Sequence, residues 1–558
     1  MKKLNVVTIV ICLFFVTGLY AQDGQRSYVK VTPAGVETIT EALELSSCGQ
    51  SSPAPKNTPP GLRWNRADGG LAWIGNCVSV GNRGTQSVAV FELNNESVEL
   101  YSTFDANPAT PIWLDSTLLG TSTGYKCDSA QTADRHVVMY HVDSPDIYNR
   151  IPVVHGYTSS SPAPDWTWQY PTTVNYGSNI AIDRDATVVA VAVYNNNTGM
   201  LDLFFLDPAT GAVMDTYSQA LGGLRGWDLS ADGTTLYFHD NSTVYIFDIA
   251  TKTVVFTTAT SGSFDSHCIS GDGTKFAFGG FGFARVWEYV GGSWSSHNFS
   301  TGSGNYVSTM DFSDDGSTLG FGVFTYTTGA KSEFYVADIP TKTVTDHITN
   351  ISNGAYQDVP KSCSISHDGT YCALGRWGDQ MNANPEVQII EKGRGIVGTI
   401  DMRGSAYTVD ISWDGQVTVS TGKAIHANVN GNGGDVYCYD LGNEDMNLIG
   451  APRINSNITI DVYTNPNWLY ALLLGSADDP SGVAVYPFGT LYLDPTPPNL
   501  FMLLPVLNAG PTGQGSLPIF IPNDPMLVGS TPFTQALFSS GGSAFQLSND
   551  YLTVTILP

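Results

Sequence analysis

Two glycine motifs and one recurring carboxylate are the places where this chain's residue types could do chemistry. Gly120-Thr121-Ser122-Thr123-Gly124 has the G-x-S-x-G form of a hydrolase elbow, and Gly393-Arg394-Gly395-Ile396-Val397-Gly398 has the G-x-G-x-x-G form of a dinucleotide-binding turn. The elbow requires a helix after the serine, yet Tyr125-Lys126-Cys127 continues as strand. The dinucleotide turn requires a helix N-terminus for the pyrophosphate, yet Thr399-Ile400-Asp401 also continues as strand. Both read as turns of a chain with 58 glycines. Asp228 to Gly233 and Asp311 to Gly316 resemble calcium loops in outline, but serine holds the third ligand position. In the second loop Gly322 stands where the twelfth-position glutamate belongs. Hairpin turns account for both. No catalytic residue and no cofactor is called for by any of these patterns.

The elements that carry these residues repeat. Asp228-Leu229-Ser230-Ala231-Asp232-Gly233 returns as Cys268 to Gly273, Asp311 to Gly316, Ser364 to Gly369 and Asp410 to Gly415. Each copy has an apolar residue, Ser, a variable residue and Asp-Gly, and an apolar strand follows. Weaker copies lie at Ala181 to Ala186, Val78 to Gly84 and Cys127 to Asp134. The turn residues Asp232, Asp272, Asp315, Asp368 and Asp414 thus mark equivalent hairpins, each with its glycine at positive φ. A period near 45 with one sharp hairpin per repeat marks a four-stranded blade, and such blades bury their faces only by stacking radially. The expected fold is all-β: a propeller of eight blades, alternatively seven, followed by a small β-sandwich. Gly70-Leu71-Ala72-Trp73-Ile74 is the candidate for the strand that closes the ring.

Residues of roughly 75 to 445, through their Ser-x-Asp-Gly hairpins and Asp-x-x-Thr-Lys/Gly turns, resemble the bacterial secreted propellers of the YVTN and tryptophan–aspartate repeat type. That resemblance implies architecture and very little about function. Gly489 to Asp494 and Pro522 to Gly529, followed by Gln535-Ala536, resemble a β-domain recurring at the C-terminus of large secreted bacterial proteins. The expected domains are a signal peptide at 1–21, an N-terminal segment with a Ser/Pro-rich linker at 22–61, the propeller at 62–445 and the β-sandwich at 452–558. Val36 to Leu43 is the one passable helix pattern.

Met1-Lys2-Lys3, the apolar run Val6 to Val16 and the small residues up to Ala21 have the order of a secretory leader. The expected location is therefore outside the cytoplasm: secreted, periplasmic or at the cell surface, with no transmembrane segment in the mature chain. The formal net charge of −26 repels phosphate backbones and anionic lipid, so nucleic acid and membrane surfaces are poor partners. A protein or glycan partner fits better. Seven cysteines remain after the leader. Cys363 and Cys372 flank a tight turn: a two-residue loop would set them opposite each other, whereas the bulged loop that the Asp-Gly ending favours would set Cys372 opposite Ser364, which argues against their pairing.

In the repeat register, Ala181, Asp228, Cys268, Asp311, Ser364 and Asp410 form one column on the innermost strands. Asp228, Asp311 and Asp410 could each accept hydrogen bonds within their own blades, or together hold a channel cation such as calcium. Strand connections on one face bring forward Arg225, Trp227, His267, Phe281, Arg376, Trp377, Asp379 and His426 as candidate ligand-binding residues around one opening. Two functions follow. One is a non-catalytic binding or scaffold module, which the absence of a motif in its proper context favours. The alternative is a propeller hydrolase or lactonase with a metal or histidine site at the channel mouth.

Overall fold

The computed structural model describes residues 25–32, 35–42 and most of 61–558. Outside the described residues lie 68–73, 82–83, 85, 93–96, 104–108, 118–124, 147–148, 175–177, 261–265, 326–330, 355–357, 427–433, 442–445, 450, 464–468, 486–488, 495–500, 505, 510–513, 540–544 and 548–551. The leader, the linker and the Gly120–Gly124 motif therefore fall outside them.

Continuous apolar runs such as Val189–Asn195 are buried along almost their whole length, as a strand covered on both faces requires. Alternating runs such as Thr253–Ala259 are half exposed and lie at sheet edges. Combined in sequence order, these strands make eight four-stranded antiparallel sheets. We number them blades 1 to 8. Their innermost strands are Ile74–Gly81, Lys126–Ser129, Ser178–Ile182, Gly226–Leu229, His267–Ile269, Asn305–Phe312, Pro360–Ile365 and Ala406–Ile411. Each innermost strand lies against those of both neighbouring blades, and that of blade 8 lies against that of blade 1. The ring is closed, with eight blades rather than seven.

Closure is made by Gly61–Ala67, which pairs antiparallel with Gly434–Asp440 as the outermost strand of blade 8. The expectation placed this strand about nine residues too late. Ile74 instead opens the innermost strand of blade 1. Trp64 carries the closing strand. It is fully buried, its ring lies 5.1 Å from that of Tyr101 in blade 1, and its Nε1–H donates to the Thr103 carbonyl. Arg63 pairs with Asp440 at 2.6 Å and Arg66 with Glu99 at 2.9 Å.

The ring has no single core. Among the described residues, separate apolar clusters fill each of the eight blade–blade interfaces. Between blades 5 and 6, for example, Ala277 and Val286 meet Val307, Leu319 and Phe321. Each sheet buries both faces only because it has two neighbours.

The chain divides into two compact units, one of Pro60–Leu441 with Leu557–Pro558 and a second of Gly442–Ile556 with the residues up to Pro59. In the second, Met446–Ile449 pairs with Ser456–Tyr463, so this unit starts ahead of Pro452. Ser456–Tyr463 pairs in turn with Gln514–Ile521, and a second sheet is built around Leu469–Gly475 and Phe533–Ser539. The two sheets face each other closely: a Cβ on Gly515 would lie 2.2 Å from the Tyr470 ring. This is the expected small β-sandwich. Near the N-terminus, Gly35–Ala42 is a strand paired with Gln25–Thr32, not a helix. Its β-branched Val36, Thr38, Ile39 and Thr40 favour the extended backbone over the helical one.

Trp64→Ala should destabilise the ring by about 3–5 kcal/mol, the usual cost of removing a buried tryptophan. Val255→Ala, on an exposed edge strand, should stay within about 0.5 kcal/mol. Denaturant unfolding of the two variants measures the difference.

Candidate functional site

The site begins at the hairpins. In the five clear repeats the serine Oγ–H donates to the turn aspartate at 2.5–2.8 Å, while the same oxygen accepts the first N–H of the next strand at 2.9–3.0 Å. Gly233, Gly273, Gly316, Gly369 and Gly415 follow with φ between 62° and 78°, a region that costs glycine little. The variable residue between Ser and Asp turns toward the axis. There Arg184 of blade 3 reaches Asp314 of blade 6 at 3.4 Å, and the His367 ring stacks 3.7 Å from that of Trp413. These side chains fill the channel mouth on the hairpin face.

One layer inward, four aspartates ring the axis. Asp228, Asp311 and Asp410 belong to the column read from sequence, and Asp128 of blade 2 joins them. Each carboxylate does the same thing. Oδ1 accepts the N–H of the following residue, and Oδ2 accepts an N–H from the innermost strand of the next blade. Those donors are Ile182 to Asp128, Ile269 to Asp228, Ile365 to Asp311 and Val80 to Asp410, at 2.8–2.9 Å. The hydroxyls of Ser79 and Ser364 add two further bonds to Asp410. The acceptors therefore reach across blade boundaries rather than staying within one blade. The oxygens are engaged by N–H and O–H donors, and among the described residues no three His, Cys, Asp or Glu side chains are grouped to hold a metal ion.

The aspartates occupy alternate blades, 2, 4, 6 and 8. Blades 1, 3, 5 and 7 present Ser79, Ala181, Cys268 and Ser364 at the same level. Alternating small and large side chains is how a tapering β interior is filled. Each of the four carboxylates is half-buried beside the axis. Burial pushes Asp128 and Asp228 up to about 7 and Asp311 well above the usual carboxylate range, and for Asp128 and Asp311 the charges of fellow axial aspartates add to the effect. Lys126, two residues before Asp128, donates to Asn179, and burial lowers it to about 8.

On the opposite face the connections between second and third strands meet those that lead into the innermost strands. Phe281 bridges to Tyr306, with ring centroids 4.9 Å apart. The loop after Arg376 is heavily braced. Arg376 and Asp358 form a wholly buried ion pair, the Arg376 Nε–H donates to the Pro385 carbonyl, and Gly378 N–H donates to Asp358. Asp379, also wholly buried, accepts the N–H groups of Met381 and Ala383 and the side-chain amide of Asn384.

The candidate residues therefore separate. Arg225 and Phe281 are exposed, and Arg225 donates to Asn241. Trp227 packs in the interface between blades 3 and 4, and Arg376 and Asp379 hold the loop from inside. His267 stacks 5.3 Å from Tyr237, its Nε2 lies 3.0 Å from the Trp227 backbone N and O, and burial holds it down at about 3. Trp377 and His426 are half-buried. His426 Nδ1 stands 3.6 Å from Glu386, a wholly buried carboxyl that burial raises to about 8. Sequence reading passed over Glu386, Asp358 and Asp128. No repeat marks the first two, and the hairpin after Asp128 lacks the Ser-x-Asp-Gly signature.

The glycine-rich turn at Gly393 is an outer hairpin between Val387–Glu391 and Gly395–Ile400. Its N–H groups at Gly393 and Gly395 donate to Asp346 of blade 6 at 2.6 and 3.0 Å. A carboxylate of the chain itself fills the position a phosphate would take.

The first unit is an eight-bladed β-propeller. No family model matches the chain, and no curated protein matches it. Among solved structures, Chaetomium thermophilum Sqt1 bound to the N-terminus of the ribosomal protein L10 is similar with a TM-score of 0.45 and 12% identity, covering 67% of this chain and 98% of that one. No helix of the described residues is long and apolar enough to cross a membrane.

The axial aspartates have a testable pH signature. Their folded-state pKa lies above the unfolded value of 3.8, so the native protein holds a proton that the unfolded chain has lost. The stability this gives is present at low pH and is lost as pH rises through about 7. Asp228→Asn cannot titrate. Its destabilisation relative to wild type should be larger near pH 5 than near pH 8.5, as read by denaturant midpoints at both values.

Proposed function

We propose that this chain is an exported, acidic propeller that works as a non-catalytic binding or scaffold module, gripping a protein partner on the loop face of blades 5 to 7. One observation carries this reading. Phe281, Ile351 and Met381 are 60%, 71% and 64% exposed on connections of that one face. Met381 and Ile351 are neighbours: the Met381 N–H donates to Asn353, and Asn384 donates to the Ile351 carbonyl. The buried Arg376–Asp358 pair and the Asp379 bonds hold the loop that presents Met381. A side chain displayed on a pre-ordered loop loses little entropy on binding, which is what an interface anchor requires. The leader-like start of the sequence supports export, and the net charge of −26 favours a basic partner over nucleic acid or anionic lipid.

Replacing Phe281, Ile351 and Met381 together by Asp should weaken capture of the partner from the organism's own extracytoplasmic proteins. Anchors of this kind contribute about 2 kcal/mol or more, roughly a thirtyfold change in Kd. The melting temperature should fall by only a few degrees, because Ile351 and Met381 face solvent and Phe281 gives up only its ring contact with Tyr306. Undiminished capture would move the partner off this face. The hydrolase alternative draws on Glu386 and His426, whose Oε1 and Nδ1 face each other at 3.6 Å without a hydrogen bond between them. Ester or lactone hydrolysis abolished by Glu386→Gln would establish it instead.

A further inference from the structure

We propose that Cys363 and Cys372 are an oxidisable dithiol that closes reversibly into a cross-strand disulfide inside blade 7. The sequence argument against this pair assumed that Cys372 faces Ser364. In the structure the hairpin loop is one residue longer. Ser366 N–H donates to the Tyr371 carbonyl, and Ile365 is the residue opposite Cys372. Cys363 therefore lies diagonally across from Cys372 on the same face of the sheet, and the two sulfurs are 3.7 Å apart.

That face packs against blade 6, where the opposing residue is Gly320. A Cβ there would lie 2.5 Å from the Cys372 sulfur and 3.0 Å from that of Cys363. The glycine leaves room for both thiols to turn toward each other. Bonding requires the sulfurs to close to about 2.05 Å, and a diagonal pair reaches this only with strain. Strained disulfides are the readily reduced ones, so the bond should be reversible.

Cys363 is half-buried and Cys372 almost wholly so. A low-molecular-weight disulfide therefore meets Cys363 first. The Cys363 thiolate attacks one sulfur of the reagent and releases one reagent thiol. The Cys372 thiolate then attacks the Cys363 sulfur and releases the second. Two protein thiols and one reagent disulfide become one protein disulfide and two reagent thiols, with both protons carried away on the latter. Burial holds the Cys363 thiol well above its ordinary range, so closure should quicken as pH rises.

The test is direct because both cysteines lie in one tryptic segment, Ser362 to Arg376, with no third cysteine. The folded full-length protein is incubated with oxidised glutathione, denatured, alkylated and digested. A parallel sample receives dithiothreitol while still folded after the oxidation. The expected result is a peptide two hydrogens lighter and without alkyl groups in the first sample, and the doubly alkylated peptide in the second. Two alkyl groups, glutathione adducts, or a bond to another cysteine-containing peptide in the first sample would overturn the proposal. So would a disulfide that dithiothreitol cannot reduce in the folded protein.

Discussion

Eight strands that converge on one axis cannot each bring a carboxylate there. This chain places one in every second blade, and each of the four aspartates spends one oxygen on its own strand and the other on the next blade. A hydrogen bond contributes about 0.5–1.5 kcal/mol net, and here every one made by Oδ2 crosses a blade boundary. The small residue that follows in the ring leaves room for the clasp. The unit of this ring is therefore a pair of blades, and four such pairs fit an eight-bladed closure in a way that seven could not.

The clasps and the hairpins together divide the molecule by face. On the hairpin side, Ser-x-Asp-Gly turns bond to themselves and to their neighbours, as where Asp232 N–H donates to the Gly271 carbonyl, and the Arg184–Asp314 and His367–Trp413 pairs occupy the mouth. On the loop side the chain uses its buried charge differently: Arg376, Asp358 and Asp379 stiffen loops whose tips expose apolar side chains. The same residue types thus close one face and display the other.

What was legible in the sequence was what depends on neighbours in the chain. A Ser-x-Asp-Gly hairpin is specified within six residues, so the repeats, the blade architecture and the aspartate column could be read directly. The sandwich followed from strand spacing. What depends on distant neighbours could not be read. Trp227, Arg376 and Asp379 look like exposed loop residues until the Val188–Leu203 cluster, Asp358 and the backbone of 381–383 close around them. Asp128 sits before an atypical hairpin and so falls out of the register. The sulfur contact turned on a single residue of loop length, and a one-residue change of register in a β-hairpin sends a side chain to the other face. The closing strand carries no repeat signature, because its partner is about 370 residues away in sequence.

The claim that alternate aspartates hold the blades together is tested most directly by amide hydrogen exchange, followed residue by residue in wild type and Asp228→Ala. The account predicts that the Ile269 N–H, which donates across the boundary to Asp228, is strongly protected in wild type and loses that protection in the variant. The equivalent Ile365 N–H, held by Asp311, should keep its own. Equal protection of Ile269 in the two proteins would contradict the account.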